Sequence, residues 1–574
     1  MYSTQTTPSR RGLSDAGATV YGMTPELKRD VDERFVNDKL GVKEFVHCVW
    51  GVDQHVIDTI FDVAETFKSE ILNGLIDRYR GAAKEKESRT YGPFSEIGNY
   101  LREKLEVIFP EHKFVNRLCS GDGEMVINSG YNKRKPDTIV VPNDYEGKFD
   151  WEHVLVPFEF KTRVPSRSGY NQQKSRLSAS ITAGSSSLSK TLFPPPDNGK
   201  ASSSLDDSKT HSGTATPDVP ANSSRAPPTD KDDSSVTAHA SDQSAALNSR
   251  RNPIVAMSTS VRQKKVDINR KTKGQSLNSL DSGLSGIVSA NKRIADNFAV
   301  PQSPKRRKSN LHATVEQLQL ARYALECMAA ASRHYVAGVF IHRFNISLWY
   351  YDRAIVARTV NFDFETQPEM LALVLYGLLT CDSRRAGFDP FIIPASHPSP
   401  SNIDELFNAP TSIEQSKDDQ IVIIQKDGSV KRYKITGKRV FANRCLVGRG
   451  TVVLPVQAID EDGVSDEEEV MKISWPDKVR EREAYLIRKL REVIPEMAKH
   501  LPDVSSFCDM GAEDLDLPRH SLDISVIEGY ERQLHMMAMK RYKALWDVNS
   551  VEEFQEVFVD YVECTFISSG KLCV

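Results

Sequence analysis

The chain has 574 residues, enough for two or three domains, and only 39% of them are hydrophobic, which indicates globular parts diluted by a polar stretch. Its 75 basic and 78 acidic residues leave a net charge of −3, so no global field draws it to nucleic acid or membrane. Eight scattered cysteines without CxxC or Cys/His spacing speak against a thiolate metal site and for reduced intracellular thiols. The first residues, MYSTQTTPSRRGLSD, lack the apolar core of a signal peptide, and the longest apolar run, Met370–Cys381, is too short to span a bilayer.

Residues 1–30 read as a polar, disordered tail. Helical spacing follows, as in Val56, Ile57, Ile60, Phe61, Val63, Ala64 and Phe67, and again over Phe94–Phe109. Strands are expected at 135–141 and at Trp151–Lys161. They carry a constellation of Pro136-Asp137 and Glu159-Phe160-Lys161. On a strand Glu159 and Lys161 face the same side, and Asp137 joins them from the neighbouring strand. Two carboxylates can hold a divalent cation, while a lysine can orient water and a phosphate oxygen. Glu96 on the preceding helix is placed to complete the set, and Gln319 and Tyr323 stand one helical turn apart farther on. Each piece also has a plain reading: a solvated ion pair, or helix packing.

The pattern resembles the PD-(D/E)xK nuclease-like superfamily. That resemblance implies an α/β domain with Asp137 and Glu159 as metal ligands. It also implies a nuclease-like site of Asp137, Glu159, Lys161, Glu96, Gln319 and Tyr323, with nucleic acid as the partner.

Residues 163–310 are rich in Ser, Thr, Pro, Asp and Lys and poor in aromatics, so they are expected to be a disordered insertion within one fold. Closing a core across such an insertion is tolerable, because the entropy grows only with the logarithm of its length. It contains a basic cluster, Lys305, Arg306, Arg307 and Lys308 after Ser303-Pro304. The cluster reads either as a nuclear-import signal or as a solvated charge run, leaving nucleus and cytoplasm both open. A helix over Val315–Ala331, strands at Tyr335–Ile341, Ile346–Tyr351 and Ile355–Asn361, and a helix over Phe364–Cys381 complete the α/β domain, so that 31–162 and 311–390 are its two halves. Residues 391–418 read as a connector.

Residues 419–500 read as a small β lobe. Gln420–Thr436 is a hairpin about Lys426-Asp427-Gly428-Ser429. Val440–Val447 is the next expected strand, punctuated by Gly448-Arg449-Gly450. Thr451–Ile459 follows, with Pro455 marking an edge or a bulge. An acidic loop, 460–469, leads to Val470–Trp475, which carries the lone cation Lys472. Asp477–Arg491 has helical spacing through Ala484, Ile487 and Leu490. Glu481 or Glu483 can face Lys472, and Glu483 is favoured because it sits deeper in the helix. A strand lysine held by a helix glutamate is how protein kinases position ATP phosphates, with glycines admitting backbone N–H groups. The plain alternative is a half-exposed ion pair worth under about 1 kcal/mol.

The stretch VMKISWPDKVREREAYLIRKL, with HLPDV at 500–504 and SVEEFQEVFVDYVEC at 550–564, resembles the amino-terminal lobe of the fungal-type protein kinase family. The resemblance implies ATP and Mg2+ as cofactors, Gly448, Gly450, Lys472 and Glu483 as nucleotide-binding residues, and phosphoryl transfer to protein Ser/Thr. This chain departs from the pattern. Val453 replaces a third glycine, and after Glu483 there is neither a His-Arg-Asp loop with its asparagine nor an Asp-Phe-Gly. The expectation is a truncated kinase or pseudokinase, inactive as it stands. Residues 501–574 would begin a helical lobe, with helices at Ser525–Trp546 and Val551–Thr565. The fold class is therefore α+β mixed, a nuclease-like α/β domain followed by a partial kinase-like fold. The alternative functions are a metal-dependent nuclease-like or nucleic-acid-binding protein, and a non-catalytic interaction protein.

Overall fold

A computed structural model describes residues 23–120, 127–128, 133–162, 311–543 and 547–571. The proposed insertion 163–310 and its basic cluster at Lys305–Lys308 lie outside the described residues, as does most of the expected tail. The end of that tail is helical: α1 (Met23–Arg34) buries Leu27 and Val31.

The first sheet is mixed. Its strands are β1 (Phe35–Leu40), β2 (Asn116–Ser120), β3 (Thr138–Pro142), β4 (Val156–Lys161), β5 (Tyr335–His342), β6 (Asn345–Asp352) and β7 (Val356–Thr359), in the order β1-β7-β6-β5-β4-β3-β2. The pairs β1–β7 and β4–β5 are parallel and the others antiparallel. β1 falls within a region expected to be helical, because FVNDKL is too short and too polar to announce a strand.

Alternation along the strands sends successive side chains to opposite layers. Val140, Phe158, Phe160, Val339, Leu348 and Tyr350 pack under α2 (Val42–Trp50), α3 (Gln54–Asp62), α4 (Glu70–Glu85), α5 (Tyr91–Ile108) and a later helix, Pro368–Thr380. Ile139, Val141, Val336, Phe340, Trp349 and Tyr351 pack under α1 and α6 (Val315–Ala330). A capping box between Thr314 and Gln317 starts α6, and the Pro368–Thr380 helix is α7.

The second sheet is antiparallel, with β8 (Ile392–Ile393), β9 (Gln420–Ile424), β10 (Val430–Ile435), β11 (Val452–Asp460), β12 (Glu469–Ser474), β13 (Val504–Met510) and β14 (Leu534–Lys540) in the order β8-β9-β10-β11-β12-β14-β13. The stretch expected to be a connector thus supplies β8 and a short helix, Ile403–Asn408, and buries Phe391, Ile392 and Leu406.

Two expected elements differ. Val440–Val447 is not a strand: Phe441 and Ala442 alone pair with β11, and Leu446 and Val447 are buried in the cluster containing Trp349 and Tyr351. Residues 525–546 contain a strand, β14, rather than a helix. LHMMAMK has no β-branched residue, so its propensity points away from a strand, and its first five residues are buried in succession, which hides the period of two.

Pro455 lies inside β11 without a bulge. Its carbonyl accepts from Thr436, just past the end of β10, so its missing N–H falls where the ladder has stopped.

One face of the second sheet is closed by the rest of the molecule. Leu454, Val456, Met471, Ile473, Met536 and Ala538 are continuous with the core of the first sheet. A fully buried ion pair, Asp352–Arg519 at 2.6 Å, joins the end of β6 to the short helix Pro518–Ser521. Among the described residues no helix is long and apolar enough to cross a membrane.

Candidate functional site

Strand register fixes what stands beside Lys472. Val453 and Met537 oppose it directly, while Pro455 and Met539 oppose Val470 two positions away, so all six share the face turned from the first sheet. Over that face lies α8 (Glu483–Val493), whose Ala484 and Ile487 pack on Val504 and Met537. The helix begins at Glu483, later than the expected Asp477, because Asp477 is engaged by Arg532 at 3.1 Å.

Glu483 is the first residue of α8, where the unpaired N–H groups favour a carboxylate. Lys472 Nζ lies 2.6 Å from each of its carboxylate oxygens. The side chains keep 18% and 38% of their exposure, so the pair is open to a ligand from one side. Glu481 is exposed.

Residues that the sequence did not single out hold this helix end. Arg482 Nε is 3.0 Å from Asp509, which also contacts His535 Nδ1 at 2.9 Å, and Arg482 donates to the Asp477 carbonyl at 2.9 Å. Gly448 and Gly450 lie in the loop between β10 and β11. Both have positive φ, +112° and +48°, a backbone open to glycine at little cost.

The second constellation forms on the α6 side of the first sheet. Asp137, just before β3, accepts from Tyr91 Oη at 2.5 Å and from the Phe160 N–H at 2.7 Å. Glu159 is fully buried on β4. Lys161 contacts it and also Glu87, the latter at 3.1 Å. Neither Glu159 oxygen has a hydrogen bond of ordinary geometry; we take the Lys161 contact as an ion pair. Burial pushes the Glu159 carboxyl well above the usual carboxylate range, and Asp137 pushes it further. Asp137 is raised by burial against the hydrogen bonds it accepts. Burial depresses Lys161, but Glu159, with Glu87 and Asp137, outweighs burial and lifts it.

The third acid is not Glu96, which is half-exposed and paired with Arg78 at 2.8 Å. It is Glu87, in the short turn before α5. One ligand oxygen each from Glu87, Asp137 and Glu159 lies within 4.8 Å of the others. Several glutamates crowd α4 and α5, so no linear signal separates Glu87 from its neighbours. Gln319 donates to Tyr323 Oη at 2.9 Å, and Tyr323 donates to the Lys135 carbonyl at 2.8 Å. Burial first, and then Glu159, raise the Tyr323 hydroxyl.

A further titratable group lies just before β4. His153 Nδ1 is 2.7 Å from Asp150 and Nε2 is 3.5 Å from Glu414. Burial lowers its pKa, but the two acids outweigh burial and raise it above the ordinary 6.5. A raised histidine contributes stability that is complete below that ordinary value and is lost as pH rises through the folded pKa. The unfolding free energy from urea titrations should therefore fall between pH 6 and 8.5 by about 1 kcal/mol or less, given the exposed acids, and His153→Gln should flatten the slope. An equal slope in the variant assigns it elsewhere.

No curated protein and no solved structure matches the chain. Residues 287–555 match the family model described as fungal protein kinase, a span that holds the entire second sheet with Lys472 and Glu483, and this part of the chain is kinase-like.

Proposed function

We propose that residues 419–500, with β13 and β14, form a phosphate-holding lobe for ATP with Mg2+. The observation that carries this reading is the two-oxygen contact of Lys472 with Glu483 on the face of the second sheet turned from the first. Lysine is a point charge for phosphate oxygens, and the glutamate fixes where that charge stands. The part-exposed cation fits an ATP phosphate, and the apolar strip of Val453, Pro455, Val470 and Met539 beside it suits the uncharged base. The test is saturable binding of a fluorescent ATP analogue with Mg2+; none at millimolar analogue overturns the reading.

The 574 residues contain no His-Arg-Asp and no Asp-Phe-Gly sequence, so no carboxylate is identified to receive a substrate proton. The chain is accordingly proposed to hold nucleotide without transferring phosphate. With radiolabelled ATP and general protein substrates we expect no incorporation; incorporation that vanishes in Lys472→Ala would refute this.

A second reading concerns residues 31–162 with 311–390, taken as one PD-(D/E)xK-like domain. It is favoured by the three converging carboxylates and by the buried oxygens of Glu159 that lack hydrogen-bond partners. An all-carboxylate donor set suits a hard cation such as Mg2+ or Mn2+. Glu87, Asp137 and Glu159 would hold it, and it would supply Lewis-acid polarisation of a phosphate oxygen. Lys161 is placed to orient that oxygen, and nucleic acid is the expected substrate class. Metal-dependent DNA cleavage lost in Asp137→Ala and Lys161→Ala tests this activity.

A further inference from the structure

The loop over 436–451, between β10 and β11, carries both glycines that the phosphate reading needs, and it is bound to the first sheet at several points. Arg439 donates to the Ala329 carbonyl and to Gln415, each at 3.1 Å. Arg444 pairs with the buried Glu326 on α6. Arg353, 2% exposed at the end of β6, donates to the Cys445 carbonyl at 2.7 Å and to the Met328 carbonyl at 3.4 Å. Met328 and Ala329 lie in the last turn of α6, where unpaired carbonyls attract cations. Leu446 and Val447 are buried beside Trp349 and Tyr351.

The glycines meet the same arginine. The Gly448 N–H donates to the Arg353 carbonyl at 2.8 Å. A Cβ on Gly450 would stand 2.5 Å from the Arg353 guanidinium carbon. The intervening Arg449 carbonyl accepts from the Trp475 N–H at 2.7 Å, just beyond β12. A glycine loop holds phosphate oxygens through its backbone N–H groups. Here one of those groups is already occupied, and the chain on both sides is pressed onto a buried side chain.

We infer that Arg353 is a latch: its guanidinium, bonded to the Cys445 and Met328 carbonyls, holds 436–451 on the first sheet and so seats the Gly448 N–H on the Arg353 carbonyl, where nucleotide phosphates must compete for it. The latch gives the first domain control over the nucleotide site. This inference rests on the phosphate reading of Lys472, so its test reads the loop and the ligand separately.

Arg353→Ala and Arg444→Ala would be made in the full chain. Arg444→Ala removes a contact nearer the surface, and it carries both readouts if Arg353→Ala fails to fold. Amide hydrogen exchange over 445–451 reads the latch, and a fluorescent ATP analogue with Mg2+ reads the site. We expect exchange at Gly448 to rise at least tenfold and the analogue to bind about fivefold more tightly. Unchanged exchange in the folded variants overturns the latch, and faster exchange with equal or weaker binding overturns its control of nucleotide. Faster exchange with no analogue bound by any form overturns the phosphate reading while upholding the latch.

Discussion

Lys472→Ala is expected to weaken binding of a Mg2+–ATP analogue by about 10- to 100-fold, the equivalent of losing a charged hydrogen-bonding partner worth about 1.5–3 kcal/mol. The fold should barely register the change. The ion pair with Glu483 is part exposed on both sides, and such pairs contribute about 0–1 kcal/mol. A large loss of affinity with a nearly constant melting temperature is the signature of a cation kept for a ligand. Glu483→Gln should move affinity in the same direction by a smaller factor, since it leaves the lysine charged but loosely placed. Its effect should also depend on Arg482, which fixes the start of α8 through Asp509. Equal affinity for wild type and Lys472→Ala would show that the pair is a structural contact between strand and helix. A collapse in melting temperature would show the same.

Much of this site was legible before the fold was known. Lys472 stands on a strand whose β-forming residues announce it, and Glu483 opens an amphipathic helix that brings it to 2.6 Å from the lysine, although the gap between the two in sequence is short for a kinase. The strand expected before the glycines is absent because Val440–Val447 is as apolar as a strand, yet its last two residues belong to another core. Leu446 and Val447 are drawn under Trp349, and Arg439 and Arg444 are drawn to α6, by partners more than 90 residues away. β14 was hidden because methionine fills strand and helix positions equally well. In the other constellation, period two on β4 put Glu159 and Lys161 on one side, as the structure has them. Choosing Glu87 over Glu96 needed the turn between α4 and α5, whose geometry depends on packing between distant helices. Arg353 carries no motif at all; its place beside Gly450 exists only once both sheets are assembled.

Adding Mn2+ should raise the melting temperature of the wild-type chain, and Glu159→Gln should abolish that rise. Glu159 is fully buried, and its folded pKa is raised by burial and by Asp137. A raised carboxyl contributes stability that is complete below its ordinary pKa and is lost as pH rises through the folded one. At neutral and alkaline pH the carboxylate therefore costs stability, and a cation shared with Asp137 and Glu87 would relieve the cost. Ligands must be deprotonated to bind, so the Mn2+-induced rise should be larger at pH 8 than at pH 6. Saturation at 100 times the dissociation constant would add about 2.7 kcal/mol. Glu96→Gln serves as the control, since its partner Arg78 is half-exposed and the residue lies outside the converging set. A wild-type chain indifferent to Mn2+ at both pH values removes the metal reading, and so does an equal rise in Glu159→Gln. In either case Lys161 is left as the counter-charge that makes a buried acid tolerable.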